Sequence, residues 1–310
     1  METLAVVLQK PEHLVLDRLE LSPPGAEDVV VDVAWSGVST GTERLLWSGD
    51  MPAFPGMGYP LVPGYESVGW VTEAGSRSGA RVGEFVFVPG ARCFGDVRGL
   101  FGGAAARLVV AGERVIALDA GLGERGVLMA LAATAHHAIV DGIPDLVVGH
   151  GVLGRLVARL ALILGATAPT VWERSPLRSQ GGEGYAVVNP DDDPRQDYAR
   201  ICDVSGDHSL LDSLIGRLAP GGEITLAGFY SQPLSFAFPP AFIREARIRV
   251  AAEWRDGDLA AVSDLVRSGR LSLEGLITHR EAAAQAEPAY RTAFNDSSCL
   301  KMVLDWRHCQ

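Results

Sequence analysis

Val147-Val148-Gly149-His150-Gly151-Val152-Leu153-Gly154 joins an apolar run to an apolar-periodic segment through a Gly-x-Gly-x-x-Gly turn. That order predicts strand, tight turn, helix. Gly149 is expected to permit the sharp turn, Gly151 to leave room for phosphates, and Gly154 to let the helix pack closely on the strand. Val152 and Leu153 fall in the first helical turn, where unpaired N–H groups and the positive dipole end favour a pyrophosphate. Pro169-Thr170-Val171-Trp172 reads as the next short strand and ends at Glu173, 19 residues beyond Gly154. A ribose-binding acid is expected at about 20 residues. The plainer alternative is a glycine turn in an ordinary α/β protein, with Glu173 a solvated strand-end charge. A carboxylate at this position accepts from both ribose hydroxyls and repels a 2′-phosphate, so NAD is the expected cofactor. Arg174 pulls the other way, because a guanidinium there can receive that phosphate.

The chain has 310 residues, 47% of them hydrophobic, and a net charge of −11. It can bury a large core in one large domain or two. The acidic balance argues against nucleic acid or an anionic membrane as a partner. Met1-Glu2-Thr3-Leu4 carries no basic region ahead of its apolar residues, unlike a secretory signal. Residues 146–166 are the most apolar stretch, yet His150, Arg155 and Arg159 interrupt it, which suits a buried amphipathic helix rather than a membrane span. Cys93, Cys202, Cys299 and Cys309 form no Cys-x-x-Cys pair. That spacing suits a reducing cytoplasm and argues against a disulfide framework or a cysteine-rich zinc lobe.

The first ~115 residues read as mostly β. Asp28–Trp35 alternates polar and apolar residues, and Val68–Glu73 and Glu84–Val88 are similar short runs. Met51–Pro60 is too rich in proline and glycine to be regular and reads as an apolar loop. Glu124–Val140 turns helical. Further strands are expected at Tyr185–Val188, Ala199–Val204 and Glu223–Phe229, with Pro220-Gly221-Gly222 breaking the helix before the last. Leu259–Ser268 reads as helix and Cys299–Asp305 as a closing strand. Alternating strands and helices predict an α/β fold with a doubly wound parallel sheet. Residues 121–254 would form the dinucleotide-binding domain, and 1–120 with 255–310 a discontinuous, β-rich catalytic domain.

This layout resembles the medium-chain dehydrogenase/reductase superfamily over nearly the whole chain, with a GroES-like first domain and a Rossmann second. Pro63-Gly64-Tyr65-Glu66-Ser67-Val68-Gly69, Ala80-Arg81-Val82-Gly83-Glu84-Phe85-Val86 and Thr134-Ala135-His136-His137-Ala138 match its motifs, as do Asp203-Val204-Ser205-Gly206 and Pro220-Gly221-Gly222. The departures are as informative. Zinc-dependent members present Cys, His and a second Cys to the metal, with a neighbouring Glu. Here those positions read as Ser39, Tyr65 and a residue at or near Ala130, and Glu66 remains. Hydroxyls with one carboxylate are poor zinc donors, so no metal is expected. Ser36–Glu43, Leu276–Arg280, Ala289–Phe294 and Cys299–Trp306 resemble the branch of the family that acts in bacteriochlorophyll biosynthesis. That resemblance implies NAD-dependent oxidation of the 3-(1-hydroxyethyl) group of a chlorophyllide or bacteriochlorophyllide to 3-acetyl. It also implies a cytoplasmic enzyme with at most a peripheral contact to photosynthetic membranes, and it leaves a homodimer open.

Without zinc to acidify the alcohol, a side chain must take its proton or hold the developing alkoxide. By position the candidates are Ser39, Thr40, Tyr65 and Glu66, with Tyr65 or Ser39 bonding the substrate oxygen and Glu66 tuning or relaying the proton. Each also has a purely structural reading, in loop packing or local backbone bonds. Thr134 is assigned to the nicotinamide end by resemblance alone. Adjacent helical residues diverge by about 100°, so His136 and His137 are not expected to face one ion. Trp47 and the Met51–Tyr59 loop, with Arg44 nearby, suit a planar tetrapyrrole in kind, and packing is the alternative. Two other functions fit the same residues: a zinc-free enone or quinone reductase using NADPH, and a non-catalytic protein that binds nucleotide or pigment.

Overall fold

A computed structural model describes residues 1–53 and 55–309 of the chain. It divides into two compact units, Met1–Ala130 with Leu273–Gln310, and Leu131–Ser272.

In the first unit the long strand Asp28–Val38 organises the larger sheet. It pairs antiparallel with Ser67–Ala74 on one side and with Met302–Asp305 on the other. It buries Val29, Val30, Val31, Val33, Ala34 and Val38, so the strand is covered on both faces rather than alternately. A four-stranded sheet begins with the Glu2–Lys10 and His13–Glu20 hairpin. The register places Val38 opposite Met302 and Ser36 opposite Ser67. Residues 36–39, 65–67 and 301 therefore share one end of this sheet. Trp306 is fully buried and donates its Nε1–H to Ser36 Oγ at 2.8 Å, fastening the returning C-terminal strand.

The second unit is a six-stranded sheet in the order Ala186–Val188, Thr170–Trp172, Leu146–Val148, Tyr198–Asp203, Leu218–Leu226, Arg247–Val250. Every neighbouring pair is parallel. Counted in chain order the strands run 3-2-1-4-5-6, the doubly wound arrangement, and the order reverses beside Leu146–Val148. The helix Val152–Ile163 follows that strand directly and buries Leu156, Val157, Leu160 and Ala161. Arg155 and Arg159 on this helix are also buried, with backbone carbonyls as acceptors. Arg155 reaches His150, Arg178, Gln180 and Gly181, and Arg159 reaches Ser272.

Several boundaries differ from the sequence reading. The helix expected over Glu124–Val140 is a 3₁₀ stretch over Ala120–Leu128, kinked at Gly123, and then an α-helix over Met129–Ile139. Pro220-Gly221-Gly222 lies inside the strand Leu218–Leu226, because the helix before it already ends at Arg217. Gly221 takes a positive φ of 72° there, and its N–H donates to Arg244 O. Residues 255–272 stay with the nucleotide-type unit, not with the first unit. The physical reason is Asp258, at the start of the helix Asp256–Arg267, which accepts from His136 and His137.

Candidate functional site

In the second unit the glycine turn sits where the strand order reverses. Gly149 has φ of 104°, which favours glycine. A β-carbon on Gly154 would overlap the Gly149 carbonyl oxygen, so close packing of helix on turn requires glycine there. A β-carbon on Gly151 would meet nothing within 4 Å. The open space beside Gly151, at the N-terminus of Val152–Ile163, is the cradle that a pyrophosphate would fill. Val152 is buried and Leu153 half-buried in the first helical turn.

Glu173 stands at the end of Thr170–Trp172 and turns back to the glycine loop. Its Oε2 accepts from His150 N–H at 3.2 Å and its Oε1 from Ser175 N–H at 2.8 Å. Arg174 points to the surface, 3.4 Å from Asp191. His150 was given no role in the sequence reading, yet it is fully buried. Its Nδ1 lies 2.6 Å from Arg178 O, and its Nε2 lies 2.9 Å from Tyr185 Oη. Burial holds its pKa below the ordinary imidazole value, so it stays neutral, donating to the carbonyl and accepting from the phenol. His150 and Arg155 thus secure the 175–184 loop against the glycine turn. Thr134 is half-buried in the helix Met129–Ile139. His136 and His137, although adjacent, both reach one group: their Nδ1 atoms lie 2.7 and 2.9 Å from the two oxygens of Asp258. A carboxylate offers two separated acceptors, which a single ion does not, and this cluster is a structural tie.

In the first unit the sheet end brings two of the four hydroxyl and carboxyl candidates, Ser39 and Tyr65, into direct contact. Tyr65 donates its hydroxyl to Ser39 Oγ at 2.9 Å and also hydrogen-bonds Thr42. Burial, helped by the Glu66 charge, pushes the Tyr65 phenol far above its ordinary pKa, so it stays protonated. Glu66 is fully buried and faces a different partner. Lys301 Nζ lies 2.7 Å from its Oε2 and 3.0 Å from its Oε1, and also donates to Val38 O at 3.2 Å. Gly37 leaves the room for this carboxylate, since a β-carbon there would overlap Glu66 Oε2. Burial raises the Glu66 pKa and the Lys301 charge opposes that rise. Thr40 is half-buried in the loop beyond Ser39, and Ala130 is buried.

Glu43, Tyr290 and Lys301 were missed as partners in the sequence reading. Glu43 Oε1 accepts Ser39 N–H at 3.0 Å and Oε2 accepts the Tyr290 hydroxyl at 2.6 Å. The signal was a charged or phenolic residue inside an apolar run, as with Lys301 between Leu300 and Met302. Trp47 packs on Phe294 with Arg291 over its ring, Met51 is buried, and Tyr59 donates to Leu46 O. Phe54 of that loop lies outside the described residues, and Arg44 is exposed.

A β-rich unit with a hydroxyl cluster and a doubly wound unit with a glycine turn together define a medium-chain dehydrogenase. The Alcohol dehydrogenase GroES-like domain matches residues 25–120. The chain is 56% identical to 2-desacetyl-2-hydroxyethyl bacteriochlorophyllide A dehydrogenase of Rhodobacter capsulatus, with 99% of each chain covered. It is 53% identical to the protein of the same description from Cereibacter sphaeroides, again over 99% of each. An Escherichia coli short chain alcohol dehydrogenase complexed with NADH shares the fold at TM-score 0.83 and 22% identity, covering 98% of this chain and 99% of that one. The chain belongs to the bacteriochlorophyllide dehydrogenase family of the medium-chain superfamily.

Proposed function

We propose that the chain oxidises the 3-(1-hydroxyethyl) group of a bacteriochlorophyllide to 3-acetyl, with NAD as acceptor and without zinc. Full-length similarity to two relatives described as dehydrogenases of that pigment carries the reading. Gly149, Gly151, Val152, Leu153 and Gly154 would hold the pyrophosphate, with Glu173 at the adenosine ribose and Thr134 toward the nicotinamide. Glu173 at the strand end and Arg174 turned to Asp191 favour NAD over NADP. Bound NAD would supply the hydride acceptor.

The donors do not fit a catalytic zinc. Both oxygens of Glu66 take the Lys301 ammonium, and the hydroxyls of Tyr65 and Ser39 bond each other. No thiolate or imidazole stands at these positions. In place of a metal, Ser39 and Tyr65 form a fixed hydroxyl pair that can receive and orient the alcohol oxygen. Tyr65, held neutral, donates to Ser39, whose own hydroxyl hydrogen can point to the alcohol oxygen, and the remaining lone pairs accept a hydrogen bond from the alcohol. Glu66 acts behind this pair through its charge on Tyr65, rather than by taking the proton itself. Thr40 flanks the pair. Tyr65→Phe is expected to lower kcat/KM about 10²-fold while leaving the NAD Kd unchanged. Equal turnover in the variant would remove Tyr65 from the chemistry.

The partner of the chain, besides the pigment, is a second copy. The strand Arg247–Val250 ends its sheet with one edge unpaired, and Ile248, Val250, Phe238, Phe242 and Ile243 are exposed around it. An edge strand pairs most simply with its own copy about a two-fold axis. No helix among the described residues is long and apolar enough to cross a membrane. We place the chain in the cytoplasm, with any contact to photosynthetic membranes peripheral, which fractionation under a salt wash would test.

A further inference from the structure

The two donors that orient Glu173 come from different segments of the chain. One is the N–H of His150 in the glycine turn, and the other is the N–H of Ser175, which opens the 175–184 loop. Each carboxylate oxygen accepts one of them. A carboxylate offers about four acceptor positions, so one remains on each oxygen, the number that two vicinal ribose hydroxyls require. Glu173 is therefore aimed only while turn and loop keep a fixed spacing.

The loop has little of its own to fix that spacing. No residue from 174 to 184 is buried, and Gly181, Gly182 and Gly184 lie within it. Arg178 and Ser179 both donate their N–H to Ser175 O, which makes 175–179 a single tight turn. The fully buried ring of His150 joins this turn to the glycine turn. Its Nδ1 lies 2.6 Å from Arg178 O and its Nε2 lies 2.9 Å from Tyr185 Oη. A carbonyl oxygen only accepts, so Nδ1 carries the hydrogen, Nε2 accepts, and the phenol donates. That is the full capacity of a neutral imidazole. Tyr185 is the first buried residue beyond the loop, and its ring meets the imidazole in a T-shaped contact with centroids 5.6 Å apart. Arg155 adds a second clasp, donating to the carbonyls of Arg178, Gln180 and Gly181 and to that of His150 itself.

We infer that His150 is a positioning residue for the cofactor: its ring locks the 175–184 loop to the glycine turn, aims the Glu173 carboxylate at the adenosine ribose, and so helps set the preference for NAD over NADP. The inference rests on the NAD reading above. With the clasp open, His150 and Ser175 no longer present their N–H groups together, and Glu173 is free to turn. It then bonds the ribose hydroxyls less well and repels a 2′-phosphate less. Affinity for NAD falls while affinity for NADP does not. A general loosening of the unit would instead weaken both cofactors alike.

The test is calorimetric binding of NAD and of NADP to the parent, to His150→Ala, His150→Asn and Tyr185→Phe, and to Glu173→Ala with and without His150→Ala. The parent is expected to bind NAD the more tightly. His150→Ala is expected to bind NAD at least about tenfold more weakly with NADP unchanged, which narrows the preference by that factor. His150→Asn keeps an amide donor for Arg178 O and is expected to recover most of the preference. Glu173→Ala alone removes the preference, and adding His150→Ala to it is expected to leave the NAD/NADP ratio where it is. Should His150→Ala fail to fold, Tyr185→Phe, which removes only the phenol hydrogen bond, is expected to narrow the ratio about threefold and decides alone. A ratio unchanged in every folded variant, or a fall of equal size with and without Glu173, overturns the inference and leaves the NAD reading standing. A parent that does not favour NAD overturns both.

Discussion

At the scale of single residues, Glu66 and Lys301 form a pair almost without solvent, with side-chain exposures of 0% and 2%. Removing one partner of such a pair leaves a charge in a low-dielectric interior. Lys301→Met is expected to destabilise the protein by about 3–5 kcal/mol, with Glu66→Gln in the same background recovering part of the loss. Denaturant unfolding of the two single variants and the double variant measures this; additive losses would contradict the pairing. Glu43 gives a second prediction. Its pKa is about 7 when folded and 4.5 as an ordinary carboxyl, so the folded chain binds the extra proton between those values. Its stabilising contribution is complete below about pH 4.5 and is lost as pH rises through 7, by about 3 kcal/mol in all. Relative to Glu43→Gln, the parent should lose unfolding free energy between pH 5 and 8, and a constant difference would contradict the raised pKa. Sequence reading reached Tyr65, Glu66 and Ser39 because they occupy positions of a recognisable motif. It did not reach Lys301 or Tyr290. Those residues meet Glu66 and Glu43 over sequence separations of 235 and 247, through a strand register that local pattern does not encode.

At the scale of elements, the glycine turn makes three similar residues do different work. Gly151→Ala has space for its methyl group and an ordinary φ of −73°. It should fold with an unchanged Tm and bind NAD at least about tenfold more weakly, because the added carbon stands where the pyrophosphate must approach. Gly154→Ala should instead lower stability by about 1–3 kcal/mol, since its methyl group meets the Gly149 carbonyl. Calorimetry of NAD binding and thermal unfolding separate the two cases; equal effects from both would refute the division of labour. This strand–turn–helix unit was legible because its signals lie within a few residues of one another. The 175–184 loop was not legible: its order comes from His150 and Arg155, side chains of the preceding turn and helix whose partners are backbone carbonyls. The allocation of residues 255–272 failed for a similar reason. A carboxylate at Asp258 joins two histidines more than a hundred residues earlier, and nothing around Trp254 announces it.

At the scale of the whole molecule, the exposed edge strand and its apolar surroundings predict a dimer. Val250→Asp with Ile248→Asp should yield monomers in light scattering without altering the 3-2-1-4-5-6 sheet, and an unchanged mass would locate any association elsewhere. On the proposed reading, hydroxyls and a buried ion pair serve this medium-chain dehydrogenase in oxidising a pigment alcohol where zinc-dependent members use the metal. The direct measurement uses chelator-treated protein, NAD and a 3-hydroxyethyl bacteriochlorophyllide, following NADH formation together with the red shift of a ring gaining a 3-acetyl group. Stoichiometric formation of both products is expected, at a rate that added zinc does not raise. Turnover that appears only when zinc is restored would contradict that reading.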